Sequence, residues 1–256
     1  MTRRPPLLLA LPALLAVVLL VVPLVALLDR TPWRRLPELL ARQDVQEALW
    51  LSLRCAAAAT ALSVLVGVPL AWVLARSAVP GRRLLRALVT VPLVLPPVVG
   101  GVALLLAFGR RGLLGPLLVE AGAVPAFTTS GVVLAESFVA LPFLVLSVEG
   151  ALSGLPPHAE EVAGTLGAGP LRVFLTVTLP AVGPSVAAGA VLAGARALGE
   201  FGATTTFAGS LPGSTRTVPL AVYALLQDDP AAAYALSAVL LVVSVGLVLA
   251  LRGRLR

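Results

Sequence analysis

The sequence is poor in the residues from which covalent crosslinks and metal sites are built. It has one cysteine, Cys55, and one histidine, His158, among 256 residues. Because Cys55 has no second cysteine as a partner, an intrachain disulfide is excluded. A lone histidine gives no cluster with the spacing of metal ligands, so we expect no metal site.

Lysine is absent, and charged residues of any kind are few. All nineteen basic residues are arginine, and charged residues make up only 12% of the chain. Hydrophobic residues account for 59% and the mean hydropathy is +1.01, values that exclude an ordinary soluble domain. The net charge of +7 is not gathered in a basic block with interleaved aromatic residues, so we expect no nucleic-acid partner. The composition indicates an integral membrane protein.

Six stretches are long and apolar enough to cross a bilayer, for which roughly 20 residues are needed. They span residues 7–28, 49–75, 87–109, 131–150, 184–207 and 231–251. The first follows Arg3 and Arg4 as a secretory signal would, but its 22 uncharged residues and the lack of an A-x-A cleavage site indicate a retained helix. The third contains several prolines, among them Pro96 and Pro97, and is expected to be a kinked helix that faces protein. The sequence thus predicts one all-α domain, residues 1–256, with six transmembrane helices.

The arginines of the connecting segments predict which side of the membrane each segment faces. With both termini inside, ten arginines lie in inner segments and seven in outer segments. The inner ones are Arg3, Arg4, Arg76, Arg82, Arg83, Arg86, Arg172, Arg252, Arg254 and Arg256, and the outer ones are Arg30, Arg34, Arg35, Arg42, Arg110, Arg111 and Arg216. Since cytoplasmic loops carry an excess of arginine and lysine, this asymmetry predicts that both termini are cytoplasmic.

The longest predicted inner loop joins the fourth and fifth spans and is patterned like two short helices. A pair of prolines precedes Glu160 and Glu161, acids that favour a first helical turn, and Gly167 stands where a helix-ending cap belongs. A second short helix is expected to end at Pro180. Spacing alone leaves two interpretations open, a knob that docks in a groove of a partner or an ordinary loop on the lipid headgroups.

The same loop resembles the cytoplasmic signature of the membrane permeases of binding-protein-dependent ABC importers. That signature reads E-A-A, three residues, G, nine residues, a branched aliphatic residue, one residue and L-P. Its elements here are Glu161, Ala163, Gly167, Val177, Leu179 and Pro180, with Val162 in place of the usual central alanine. The resemblance implies a coupling loop, residues 156–180, in which these residues and Glu160 serve coupling to a cytoplasmic ATPase. It also implies the type I ABC importer permease fold.

Two later segments resemble the oxyanion branch of these permeases, and within it the molybdate permeases. They are AGAVLAGARALGEFGATTTFAG at residues 188–209 and PGSTRTVPLAVYALLQ at residues 212–227. Sulfate and thiosulfate permeases share the core R-A-x-G-E-[FY]-G, so that alternative stays open. By resemblance, two copies of the chain form a pore in the inner membrane, two ATPase subunits bind ATP and Mg²⁺, and an external binding protein delivers the anion. The chain itself is then a non-catalytic subunit without a cofactor.

Arg196 and Glu200 are charged residues inside the fifth predicted span. An unpaired charge near the centre of a membrane helix costs about 2.5–3.5 kcal/mol, so both side chains are expected to face the bundle interior. Their spacing of four residues places them on one helical face, where they can pair. Two roles stay open, a packing brace or an electropositive gate in which Arg196 meets the anion and Glu200 orients the arginine. Thr204 and Glu136 are further candidates for this pathway, with Arg54 or Arg196 as a partner for Glu136.

Two functions from other classes compete with an ABC permease. An intramembrane enzyme is not supported, because the chain has no H-E-x-x-H and no G-x-S-x-G motif. The absence of G-x-x-x-x-G-K-[ST] means that the energy of ATP must come from a partner. A proton-coupled secondary transporter remains an alternative, because Glu136, Arg196 and Glu200 are ionisable groups within predicted spans. That alternative predicts an internal repeat, which the six spans do not display.

Overall fold

A computed structural model describes the backbone of residues 7–254 and the side chains of residues 8–249, and this part of the chain is helical without a strand. The helices are α1 (Leu7–Arg30), α2 (Leu36–Leu40), α3 (Gln43–Arg76), α4 (Arg82–Val94), α5 (Pro97–Phe108), α6 (Gly115–Glu120), α7 (Thr129–Gly154), α8 (His158–Thr165), α9 (Pro170–Val173), α10 (Leu179–Leu198), α11 (Gly202–Phe207), α12 (Val218–Asp228) and α13 (Pro230–Arg254). A π-helical turn, Phe174–Thr178, joins α9 to α10. The predicted all-α membrane architecture is confirmed. Arg3, Arg4 and Arg256, on which the predicted orientation partly rests, lie outside the described residues.

Three long helices, α3, α7 and α10, form the centre of the molecule. α3 and α7 run in the same direction, since Cys55 and Val132 in their first halves share one buried cluster, whereas Arg76 at the end of α3 donates to the carbonyl of Leu155 at the end of α7. α10 runs in the opposite direction and starts beside the end of α7. The chain between α3 and α7 must therefore return across the bundle.

Glycines let these three helices approach closely. A Cβ on Gly67 of α3 would lie 2.9 Å from a Leu144 methyl carbon on α7, and one on Gly189 of α10 would lie 3.0 Å from Ser147 Cβ. These contacts border the principal cluster of buried side chains, to which α3, α7 and α10 all contribute. Close packing of small against branched residues thus supplies the attraction that the hydrophobic effect cannot supply between helices in lipid.

The third predicted span, residues 87–109, is not one helix. The helix axis bends by 120° between α4 and α5, with Leu95 in an extended conformation and Pro96 directly before α5. Consecutive prolines remove two backbone donors, and a proline disfavours helical geometry in the residue before it. The prediction of a merely kinked helix was therefore wrong. Counting the bent pair as one crossing, the described residues contain up to six segments that are long and apolar enough to cross a membrane, and five without it.

The fifth predicted span, residues 184–207, is corrected at both ends. The helical run begins earlier, with α9, and ends at Leu198, so that α11 is a separate helix. Pro180, predicted to end a short helix, lies inside this run. The N–H of Leu179 donates to the carbonyl of Phe174, five residues back, and this wider turn accommodates a proline that lacks an N–H and would clash with a regular helix.

The remaining helices lie around this centre. α12 and α13 pack on the first half of α3, where Val45, Val218 and Leu236 are buried together, and Asp229 between α12 and α13 forms an ion pair with Arg42. α1 contacts α13, but no side chain in the apolar stretch of α1 is buried. α1 therefore presents a nearly bare apolar surface.

Candidate functional site

The intramembrane arginine and glutamate lie where the helix of the fifth span ends. Arg196 Nη2 is 2.5 Å from Glu200 Oε2, so the pair indicated by the four-residue spacing is present. Glu200 is only 1% exposed, and its other oxygen accepts the N–H of Ala203 over 2.8 Å. Both carboxylate oxygens are thus engaged, one in the ion pair and one as a cap for the first turn of α11.

Arg196 is the more accessible partner, with 30% of its side chain exposed. A guanidinium carries five N–H donors, and the contact with Glu200 is made by Nη2, so other donors are available to a ligand. The sequence prediction missed that Glu200 lies between two helices. The signal for this break was present, because Gly199 and Gly202 flank the glutamate.

Glu136 of α7 and Thr204 of α11 are buried near the ion pair. Within the described residues, neither Glu136 Oε2 nor Thr204 Oγ1 has a hydrogen-bond partner, and Glu136 lies within electrostatic range of Glu200. Glu136 pairs with neither predicted partner, since Arg196 binds Glu200 and the guanidinium of Arg54 stacks over a tryptophan ring at 5.0 Å. Glu136 and Thr204 are therefore enclosed by protein in this single chain.

The two helix breaks meet in space. A Cβ on Gly202 would lie 2.6 Å from Pro97 Cβ, and one on Gly101 would lie 2.6 Å from Thr206 Cβ and 2.8 Å from the Ala203 carbonyl. Real Cβ atoms essentially never come so close to a neighbour, so any side chain at position 101 or 202 would force the facing helix to shift. The starts of α5 and α11 are thereby fixed beside the ion pair.

The predicted coupling loop begins with a glycine-capped helix. α8 ends just before Gly167, whose φ of +86° is left-handed, and the Ala168 N–H returns to the Ala163 carbonyl over 3.1 Å. This is the geometry expected of a glycine cap, so the predicted helix end is confirmed. Glu161 and Val162 of α8 are exposed, as is Leu166 directly after the helix. The surface of α8 and its cap therefore offers an acid and large apolar side chains.

The rest of the signature lies in the helix that follows. Val177 belongs to the π-helical turn, and Leu179 and Pro180 open α10. The predicted second short helix is therefore the beginning of a membrane helix and not a separate element. The loop is joined to α10 without an intervening flexible segment.

Glu160 faces the bundle and not the outer surface of the loop. Its Oε1 accepts the hydroxyl of Thr178 over 2.9 Å, and its Oε2 lies 3.2 Å from Arg76 Nε. The Nε–H is not aligned for a hydrogen bond, so this second contact is purely an ion pair. Arg76 also donates from Nη2 to the Leu155 carbonyl over 2.9 Å. The carboxylate thus ties α8 to the ends of α3 and α7 and to the start of α10.

A second ion pair lies on the same side of the molecule. Arg86 of α4 donates to Glu149 Oε1 of α7 from Nε over 2.8 Å and from Nη2 as well, and Glu149 is buried. α4 has no buried residue of its own, so this pair is its principal polar attachment. No sequence pattern signalled the contact, because the two residues are 63 positions apart.

Comparison with known proteins relates most of the chain to a transport family. A family model described as the binding-protein-dependent transport system inner membrane component matches residues 67–254. The molybdenum transport system permease protein ModB of Mycobacterium tuberculosis is 53% identical over 244 residues, covering 95% of this chain and 92% of the relative. The protein of the same name from Escherichia coli is 46% identical, covering 71% and 80%. The sulfate transport system permease protein CysT of Salmonella typhimurium is 35% identical, covering 88% and 83%.

Solved structures share the fold. A bacterial alginate ABC transporter in complex with an alginate pentasaccharide-bound periplasmic protein superposes with a TM-score of 0.69 at 17% identity, covering 95% of this chain and 91% of that one. The inward-facing MetNI methionine ABC transporter gives a TM-score of 0.62 at 17% identity, covering 82% and 95%. The fold is therefore that of ABC importer permeases. Since the family match covers most of the chain and agrees with the loop signature, the chain belongs to the binding-protein-dependent transport system inner membrane components.

Proposed function

We propose that this chain is the membrane-spanning permease subunit of an ABC importer that carries molybdate, and tungstate as its close analogue, into the cytoplasm. The observation that carries the proposal is the 53% identity, over 95% of the chain, to a relative named as a molybdenum permease. The resemblance of residues 188–209 and 212–227 to molybdate permeases supports the same substrate. ATP hydrolysis in a partner supplies the energy.

The proposed importer contains two copies of this chain, two cytoplasmic ATPases and an external oxyanion-binding protein. The exposed acid and apolar side chains on α8 are suited to docking on an ATPase. The bare apolar surface of α1 and the exposed residues at the bend between α4 and α5, such as Val94 and Val98, provide surface for lipid and for a second copy. In this arrangement, the pore lies between two copies.

Arg196 is proposed to be the part of the ion pair that meets the anion. Glu200 is fully engaged by Arg196 and by the cap of α11, so it braces the helix break and orients the arginine. Arg196 keeps 30% of its side chain exposed, and a partly neutralised guanidinium attracts a dianion without holding it so tightly that passage stops. Glu136 and Thr204 support this site from within the protein.

Sulfate or thiosulfate is the alternative substrate. The core sequence around Arg196 and Glu200 is shared with sulfate permeases, and CysT is 35% identical over 88% of this chain. A single exposed arginine offers too few donors to distinguish tetrahedral dianions. We therefore infer that substrate choice is made mainly by the external binding protein.

The test is uptake of radiolabelled molybdate into vesicles that contain the reconstituted complex and its binding protein. We expect uptake to require ATP inside the vesicles, on the side where the ATPase subunits lie. Unlabelled molybdate and tungstate should compete better than sulfate. Sulfate as the strongest competitor would move the assignment to the sulfate branch. Uptake driven by a proton gradient without ATP would instead favour a secondary transporter.

A further inference from the structure

We propose that Glu160, Arg76 and Thr178 form a junction that transmits the movement of α8 to α3 and α10. The proposal rests on the proposed coupling of α8 to an ATPase, and it assigns Glu160 a positioning role instead of a direct contact with that partner. The three side chains meet where the loop joins the membrane helices. One carboxylate binds both of its partners, through Oε1 to Thr178 and through Oε2 to Arg76.

The junction connects the ends of every central helix. Arg76 is the last residue of α3 and also holds the carbonyl of Leu155, the residue that ends α7. A cation at a helix C-terminus is further stabilised by the helix dipole. Thr178 is only 1% exposed and lies in the π-helical turn directly before α10. A displacement of Glu160 is therefore transmitted to α3 through Arg76 and to α10 through Thr178.

The junction is also the main polar attachment of α8. No residue of α8 is fully buried, so apolar packing alone does not fix this helix to the bundle. Glu160 and Arg76 are each 16% exposed, and charges shielded to this extent are screened by salt much less than surface pairs. Glu161, the next residue, is exposed. Successive residues of a helix point about 100° apart, so one acid faces a partner while the other faces the bundle.

The test compares substitutions on the junction with a matched control in the same turn. Glu160→Gln keeps an oxygen for Thr178 but turns an amide N–H group toward Arg76. Thr178→Val removes the hydroxyl at nearly constant shape. Thr176→Val is the control, because the Thr176 hydroxyl is exposed and bonds only the Arg172 carbonyl of its own helix.

The readout is the number of ATP molecules hydrolysed per anion imported by the reconstituted complex, measured together with ATPase retention on the purified permease. We expect Glu160→Gln to raise this ratio by roughly threefold or more, since it removes the negative charge that pairs with Arg76. Thr178→Val should raise it by roughly twofold, since it removes one hydroxyl hydrogen bond and leaves the ion pair in place. Thr176→Val should match the parent. A purely structural role would lower the yield of complex and leave the ratio unchanged.

A charge exchange provides the second measurement. Each single reversal, Glu160→Arg or Arg76→Glu, should uncouple the complex, and the double variant should recover part of the coupling because the ion pair is restored with opposite polarity. Glu160→Gln and Thr178→Val with parental ratios, or a double reversal no better than the single ones, would overturn the junction. A parent complex that neither binds nor stimulates the ATPase would instead overturn the proposed function itself.

Discussion

At the residue scale, the ion pair between Arg196 and Glu200 predicts a transport phenotype. Arg196→Ala should reduce uptake by roughly tenfold or uncouple ATP hydrolysis, because the exposed donors that meet the anion are lost. Arg196→Lys should recover only part of the activity, since a point charge does not reproduce a planar guanidinium. The order of preference, molybdate and tungstate over sulfate, should not change. Vesicle uptake with competition by each unlabelled anion measures both effects.

A control for folding is needed, because Arg196→Ala leaves the Glu200 carboxylate buried without its cation. Removing one partner of a buried pair typically destabilises by about 3–5 kcal/mol. The double substitution Arg196→Ala and Glu200→Gln removes the stranded charge while the amide oxygen still caps Ala203. If the folded double variant imports with parental rate and coupling, Arg196 is only a brace.

Gly101 gives a second prediction at this scale. Gly101→Ala would place a Cβ 2.6 Å from Thr206 and 2.8 Å from a backbone carbonyl, so we expect a loss of about 1–3 kcal/mol in stability from overpacking. Gly150→Ala on α7 is the control, because a Cβ there meets nothing within 4 Å. That change should be neutral or stabilising by about 0.5–1 kcal/mol. Thermal unfolding in detergent distinguishes them, and equal melting temperatures would contradict the tight contact.

The roles of single residues were predictable from sequence where they depend only on neighbours in the same helix or turn. The cap at Gly167 follows from its place after an acidic first turn and an α8-length segment, and the ion pair of Arg196 with Glu200 follows from helical periodicity. The pairs of Arg76 with Glu160 and of Arg86 with Glu149 were not predictable. They depend on which helix ends meet, and a single sequence does not encode that in any local spacing.

At the scale of elements, the glycine cap after α8 predicts which substitution disrupts the coupling loop. Gly167→Leu should disrupt the turn after α8, because a side chain at φ of +86° is strained by roughly 1 kcal/mol or more. No neighbour lies within 4 Å of the added Cβ, so the strain is in the backbone and not a clash. The ATPase should bind less tightly or lose its stimulation while the subunit still inserts. Binding of the ATPase to the purified variant checks this.

Gly164→Ala serves as the control for this change. Gly164 lies inside α8, has open space around its Cβ position and has no positive φ. A parental phenotype for both substitutions would leave the cap without a role in coupling. A defect in both would show instead that the surface of α8, and not its turn, is sensitive.

The positions of the long membrane helices were easier to predict from sequence than the breaks within them. Long apolar stretches correctly placed α1, α3, α7 and α13, because a bilayer requires about 20 apolar residues per crossing. Hydropathy averaged over such a window does not register backbone hydrogen bonds. It therefore missed the break at Leu95 and Pro96, the break around Glu200, and the π-helical turn that lets the chain pass Pro180.

At the scale of the whole molecule, the shared direction of α3 and α7 leads to a topology prediction. Because both helices end beside α8, the positions at Ser153 and Ala121 should lie on opposite sides of the membrane. In a Cys55→Ser background, a cysteine at Ala121 should react with an impermeant reagent added outside, and one at Ser153 should react only after the membrane is opened. Both positions are exposed, so accessibility does not bias the comparison.

The outcome also fixes the side of the membrane on which α8 lies. External labelling at Ser153 would place α8 outside and remove the basis for coupling to a cytoplasmic ATPase. Labelling of both positions from one side would show that α7, the long helix between them, does not cross the membrane. Reactivity at Leu211, which is exposed after α11, should follow that at Ala121.

The parallel pairing of α3 with α7 has a consequence for biosynthesis. The end of α3 leaves the ribosome 78 residues before the end of α7, a delay of roughly 4–16 s at about 5–20 residues per second. Until then, the face of α3 that carries Ala59, Ser63 and Ala71, all buried in the finished protein, lacks α7, the helix that packs against it there. A nascent chain that stops before Thr129 therefore lacks the α7 and α10 side chains of the principal buried cluster, and the centre of the bundle is completed only after these helices are made.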